Sequence, residues 1–231
     1  MTILAITPAR GGSKGIFRKN IKHMAGKPLI QHTIETVHEC PLIDRYIVNS
    51  EDKEIRCIAE SLGVETQDRP DDFFYDNTFQ EVDRLLMWAV RDLEKKGAYI
   101  DIVVLLYATA PLRPYQAING CIDLVLNQGY DSALTLYEDR IYLWERVDQA
   151  FTVTPTNYDP QKRGPNQLEC WNQWIENKAV YVVKRNLLME TGCRLGGNIG
   201  FVEMNKEDSI DIDKPEEFSL AEQIMFLRQN S

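Results

Sequence analysis

Apolar positions in this chain alternate between short β-branched runs and longer stretches at helical spacing. Residues 3–7 predict a strand that ends in a glycine-rich turn. Leu29, Ile30, Thr33, Ile34 and Val37 share one helical face over residues 29–39, with Pro28 placed to start that helix. A strand follows at 46–49. A helix at 51–62 carries Ile55, Ile58, Ala59 and Leu62 on one face and has Gly63 as its stop. The clearest helix is 79–96, with Val82, Leu85, Leu86, Ala89, Val90 and Leu93 inward. Residues 102–106 are continuously apolar, as in a central strand covered on both faces. A turn at 111–114 leads to a helix through Ile118, Leu124 and Val125. Strands at 133–136, 179–183 and 199–203 and a last helix from 214 to about 227 complete the pattern. This alternation predicts an α/β fold: a mostly parallel sheet with helices on both faces.

Residues 140–176 break the rhythm. They hold Trp144, Trp171 and Trp174 with Pro155, Pro160 and Pro165, and sustain no helical period. Two readings stand: a long surface excursion, or an arm that buries its aromatics against a second subunit. At 231 residues the chain suits one large domain, so 1–231 reads as a single unit from which 140–176 protrudes.

The formal net charge of −9 argues against general nucleic-acid binding. The longest apolar runs are strand-sized, so no membrane partner is expected. The first strand is preceded by no charged n-region, and the expectation is a cytoplasmic protein. The five cysteines are scattered, without a C-x-x-C pair, which favours buried free thiols over zinc or disulfides. His23, His32 and His38 lack metal-ligand partners nearby and read as surface or packing residues.

Candidate chemistry begins directly after the first strand, in Pro8-Ala9-Arg10-Gly11-Gly12-Ser13-Lys14-Gly15. Glycine lets the backbone turn sharply and approach a ligand, so that amides can face phosphate oxygens. The first acidic residue is Glu35, preceded by Arg10, Lys14, Arg18, Lys19, Lys22 and Lys27. A cationic pocket on an anionic body suits a nucleoside triphosphate; the other reading is a tight turn with solvated lysines. The loop matches neither G-x-x-x-x-G-K-[ST] nor G-x-G-x-x-G, which sets kinase-type and dinucleotide readings back.

Near the other end, Asp211 and Asp213 alternate with Ile210 and Ile212. In an extended segment both carboxylates share one face and suit Mg²⁺, which takes one or two carboxylates with phosphate and water oxygens. Asp213 with Glu216 also reads as a helix N-cap. Arg69 suits a ligand contact or an ion pair with Asp71 or Asp72.

The run from Ala9 to Ile16, followed by Arg18-Lys19-Asn20-Ile21 and Gly26-Lys27-Pro28-Leu29-Ile30, resembles the opening signature of the acylneuraminate cytidylyltransferases. Further matches follow in order: Arg69-Pro70 with Asp76, Thr109-Ala110-Pro111-Leu112-Arg113, Asn177 with Tyr181, and Asp211-Ile212-Asp213. The resemblance implies a Rossmann-like fold, a homodimer, and transfer of CMP from CTP to the anomeric hydroxyl of a nine-carbon α-keto acid sugar. It implies that Arg10, Gly11, Gly12, Ser13, Lys19 and Asn20 bind the triphosphate, with Arg10 and Lys19 supplying catalytic charge. Arg69 would meet the cytosine end; Tyr107, Thr109, Asn177 and Tyr181 the sugar; Asp211 and Asp213 the Mg²⁺.

Three departures bear on the substrate. Phe17 stands where the family usually has proline, Tyr107-Ala108 replaces Gln-Pro, and Lys178 replaces the glycine after the asparagine. Tyr107 either meets the sugar or packs under its loop, and the Tyr-Ala-Thr-Ala-Pro run resembles the branch acting on pseudaminic-acid-type sugars. The alternatives are a cytidylyltransferase for a 3-deoxy-octulosonate-type sugar and a catalytically silent nucleotide-binding module.

Overall fold

A computed structural model describes residues 1–13, 15–70, 81–147, 151–162 and 173–229. Strand β1 (Ile3–Pro8) leads through a short hairpin, β2 (His23–Met24) and β3 (Lys27–Pro28), into α1 (Leu29–His38). Then come β4 (Arg45–Ser50), α2 (Lys53–Ser61), β5 (Glu65–Asp68), α3 (Glu81–Lys95), β6 (Ile102–Leu106), α4 (Tyr115–Leu126) and β7 (Ser132–Glu138). The rest is β8 (Trp144–Arg146), β9 (Val153–Pro155), β10 (Trp174–Lys184), α5 (Arg185–Thr191), β11 (Ile199–Glu203) and α6 (Pro215–Gln229).

Seven strands form one sheet in the order β11-β7-β10-β6-β1-β4-β5. β1 pairs in parallel with β4 and β6, β4 with β5, and β11 with β7, while β10 runs antiparallel to β6 and β7. The central strands alternate between two cores, as expected when both faces are covered. Ile3 and Ala5 pack with Ile118 and Cys121 of α4, whereas Leu4 and Ile6 pack with Leu86 and Val90 of α3. α6 turns Phe218, Ala221 and Met225 into a separate cluster with Leu29 and Ile212, which docks the end of the chain beside the first loop.

Where structure and pattern differ, polar residues explain it. β5 reads Glu-Thr-Gln-Asp and buries only Gln67, so an edge strand lies hidden in polar sequence. α2 starts at Lys53 because the Asp52 carboxylate accepts from the amides of Glu54 and Ile55, which leaves Glu51 outside the helix. β10 begins at Trp174, ahead of the expected 179; its pairing with β7 shifts register between Glu176 and Tyr181. Lys178 lies in that shift with a left-handed φ of 56°.

Within 140–176, β8 and β9 pair with each other, apart from the main sheet. Trp144 and Phe151 are exposed there, whereas Trp174 packs on Phe201 of β11 with ring centroids 4.9 Å apart. Trp171 and Cys170 lie outside the described residues. Cys40 and Cys121 are buried free thiols, as expected; Cys57 is exposed, on the outward side of α2, and Cys193 is half-buried. Among the described residues, no helix is long and apolar enough to cross a membrane.

Candidate active site

After β1 the chain builds outward through β4 and β5, then returns to place β6 on the other side of β1. The loops leaving β1 and β6 therefore part at the C-terminal edge of the sheet, where open α/β sheets bind ligands. A cavity of about 460 Å³ opens at that place. Its wall includes Arg10, Ser13, Lys19, Asn20, Arg69, Tyr107, Thr109, Asp211 and Asp213, so nine side chains singled out in the sequence meet around one space. Gly11, Gly12, Asn177 and Tyr181 do not line it.

Close approach explains two of the three glycines of the first loop, Gly11 and Gly15, whereas a Cβ on Gly12 would meet open space. A Cβ on Gly11 would stand 2.3 Å from the Asp52 carboxylate, and one on Gly15 would stand 2.3 Å from the backbone oxygen of Asp213. No side chain fits either contact. The Gly11 amide donates to Glu51 at 2.7 Å and is therefore engaged by protein. Asn20 donates to the Arg10 carbonyl at 2.9 Å and fixes the loop from below.

The early basic residues separate into two groups. Arg18 pairs with Asp52 and Glu54, each at 2.8 Å, Lys27 pairs with Glu35, and Lys22 sits over the Phe218 ring. Lys14 lies outside the described residues. Arg10 and Lys19 are left at the cavity. Arg10 is exposed and has no carboxylate partner among the described residues, whereas Lys19 is buried. Arg69 is buried too; its guanidinium donates to the side chain of Asn49 at 2.9 Å and stands 3.9 Å from Glu51. Asp71, Asp72 and Asp76 lie outside the described residues.

Ser209 ends a turn, and beyond it Ile212 is fully buried, with its amide bonded to the Thr109 carbonyl at 2.8 Å. The flanking carboxylates converge, as the alternation predicts. Lys178 Nζ lies 2.8 Å from Asp211 and 3.6 Å from Asp213. Lys19 Nζ donates to the Ile212 carbonyl and pairs with the other oxygen of Asp213 at 3.1 Å. Burial opposes ionisation of Asp213, but Lys19 and Lys178 outweigh it and hold its carboxyl below the ordinary value. Lys178 is pushed up, chiefly by its hydrogen bond to Asp211. The capping pattern is met by a neighbour of the expected residue: Glu217, not Glu216, accepts from the amides of Asp213 and Lys214.

On the β6 side, Tyr107 both lines the cavity and packs, its ring meeting Tyr181 edge-on at 6.3 Å. Tyr181 is buried beneath it. Its hydroxyl donates to Glu176, and burial with that carboxylate pushes the phenol well above its ordinary range. Asn177 is 3% exposed and spends its carboxamide on Thr135, Ser209 and the Ala179 amide. It joins β10 to the acidic segment from below the cavity. One positioning residue escaped the sequence reading, although it closes a quoted motif. Arg113, fully buried, donates to the Tyr107 and Ala179 carbonyls and to Thr33, and so holds the β6 loop against β10 and α1. Burial pulls its pKa down to about 10, which leaves it charged at neutral pH. Arg113 carries no sequence signal beyond its place after Pro111-Leu112.

Sheet order and cavity define a Rossmann-like nucleotidyltransferase fold. A CTP complex of CMP:2-keto-3-deoxy-manno-octonic acid synthetase superposes with a TM-score of 0.70 at 13% identity, covering 99% of this chain and 100% of that one. The sequence specifies the family: residues 4–230 match the model described as Cytidylyltransferase, and the chain belongs to that family. N-acylneuraminate cytidylyltransferase A of Danio rerio is 29% identical over 223 residues, 96% of this chain and 50% of the relative. This chain thus spans about half that relative's length. Pseudaminic acid cytidylyltransferase of Campylobacter jejuni is 38% identical over 211 residues, 82% of this chain and 90% of that protein.

Proposed function

We propose that this protein transfers CMP from CTP to the anomeric hydroxyl of a nine-carbon α-keto acid sugar of the sialic, pseudaminic or legionaminic type, releasing pyrophosphate. The observation that carries this reading is the shared cavity. It gathers Arg10, Lys19, Arg69, Tyr107, Asp211 and Asp213 around one space, which supports a nucleotide, a metal ion and a sugar meeting there. Arg10 is free to bind phosphate oxygens. Lys19 spends two of its three donors on the acidic segment, which leaves one for the triphosphate. The sugar hydroxyl attacks the α-phosphorus in line, and pyrophosphate leaves. This route needs positioning and charge neutralisation and no covalent protein intermediate.

Two converging carboxylates fit Mg²⁺, whose remaining positions would be filled by phosphate and water oxygens. Among the described residues no group of three or more His, Cys, Asp or Glu gathers elsewhere to compete for it. Asp211 and Asp213 would hold the ion, which would supply charge neutralisation at the phosphates.

The sugar's branch is read from Tyr107. Its broad ring, backed by Tyr181, suits methyl or acetamido groups better than a hydroxyl-rich chain. The reading also includes a homodimer, supported by the exposed Trp144, Phe151 and Val153 and checked by light scattering. It includes a cytoplasmic setting, in keeping with the free cysteines. The experiment that tests the nucleotide assignment is a thermal-shift comparison at equal concentrations of CTP, ATP, GTP and UTP with Mg²⁺. CTP should stabilise most; equal shifts from all four would overturn it.

A further inference from the structure

The two carboxylates assigned to the metal already face a cation that belongs to the chain. Lys178 Nζ lies 2.8 Å from Asp211 Oδ2 and 3.6 Å from Asp213 Oδ2, while Lys19 takes Oδ1 of Asp213. Each carboxylate is thus met by an ammonium, and the pair is neutral as it stands. Lys178 reaches this place through an unusual backbone. It follows the buried Asn177, falls where β10 slips against β7, and adopts a left-handed φ of 56° in a residue other than glycine. The side chain is 53% exposed, so its four-carbon stem has room to swing clear, unlike that of Lys19, which is 11% exposed and anchored to the Ile212 carbonyl.

A divalent ion bound between Asp211 and Asp213 takes the position the Lys178 ammonium holds. Like charges exclude each other there, and the ion prevails only when it brings further anionic ligands, which the triphosphate provides. We infer that Lys178 is a tethered counter-ion which occupies the Asp211–Asp213 pair in the free protein and makes divalent-metal binding depend on the nucleotide. This positioning role rests on the metal reading above. It assigns an order to the site: without nucleotide the carboxylates are closed by lysine, and with nucleotide the lysine is displaced into the cavity.

The test is Mn²⁺ titration followed by electron paramagnetic resonance, with and without CTP and with no sugar present. The proteins are wild type, Lys178→Met, Lys178→Arg and Lys178→Gly. An ammonium that holds the pair about nine tenths of the time weakens apparent metal affinity about tenfold. Without CTP, both the Met and the Gly variant should therefore bind Mn²⁺ about tenfold more tightly than wild type. Lys178→Arg should remain weak, and CTP should narrow the gap. Equal affinity in wild type and Lys178→Met without CTP overturns the inference, provided wild type binds Mn²⁺ with CTP. Tightening in Lys178→Gly alone also overturns it, since relief of the backbone would then be the cause. If no variant binds Mn²⁺ even with CTP, the metal reading falls and takes this inference with it.

Discussion

Lys19→Met separates the structural from the catalytic part of the site. Methionine keeps the apolar stem and deletes an ammonium that joins residue 19 to the Ile212 carbonyl and to Asp213, 193 and 194 positions along the chain. The bond to the carbonyl has a charged donor and is buried, worth about 1.5–3 kcal/mol. The Asp213 side chain is 62% exposed, so its pair adds only ~0–1 kcal/mol after screening. Relief of the buried charge offsets part of this, and a net loss of about 2 kcal/mol is expected. If the ammonium also meets phosphate, as proposed above, its loss should cost more, about 10²–10³ in kcat. Urea unfolding reads the first effect and pyrophosphate release the second. Because Asp213 is held below its ordinary value, its pairing stabilises the fold at neutral pH and is lost as pH falls through the depressed value. The stability gap between wild type and Lys19→Met should accordingly narrow below about pH 4. A shifted urea midpoint with unchanged kcat/KM would show Lys19 to be structural only. An unchanged midpoint would show that its bond to Ile212 does not hold the acidic segment.

Gly15→Ala places a Cβ 2.3 Å from the Asp213 carbonyl oxygen, so loop and acidic segment must part. About 1–3 kcal/mol of stability and at least about tenfold of turnover should be lost, and wild-type rates would show that this contact does not set the site. Burial pushes the thiols of Cys40 and Cys121 up to about 12, so native alkylation mapped by mass spectrometry should mark the exposed Cys57 and spare both. Early labelling of Cys121 would contradict the packing of α4.

The apolar pattern made most of the sheet legible, because β1, β4, β6 and β11 are short runs bounded by turns. It missed β5, where Gln67 alone is buried, and the first residues of β10, where Asn177 and Lys178 interrupt the alternation. It also missed α5, seven residues with Leu188 as the buried contact. The loop residues of the site were legible because glycine and clustered positive charge are local signals. What remained hidden was mutual: Arg18 and Lys27 look identical to Lys19 in sequence, and only the fold shows that Asp52, Glu54 and Glu35 claim the first two. The partnership of Lys178 with Asp211 spans 33 residues and has no periodic signature. Arg113 was hidden for the same reason, since two of its acceptors are backbone carbonyls, which sequence does not display, and the third, the Thr33 hydroxyl, lies 80 positions away.

The most direct test is to incubate the protein with CTP, Mg²⁺ and a panel of keto-acid sugars, and to measure pyrophosphate and the CMP-sugar product by mass spectrometry. The account predicts a CMP-nonulosonate with equimolar pyrophosphate, and a higher kcat/KM for a deoxy, diacetamido nonulosonate than for N-acetylneuraminate. Faster transfer to a 3-deoxy-octulosonate, or CTP binding without product from any sugar, would contradict it.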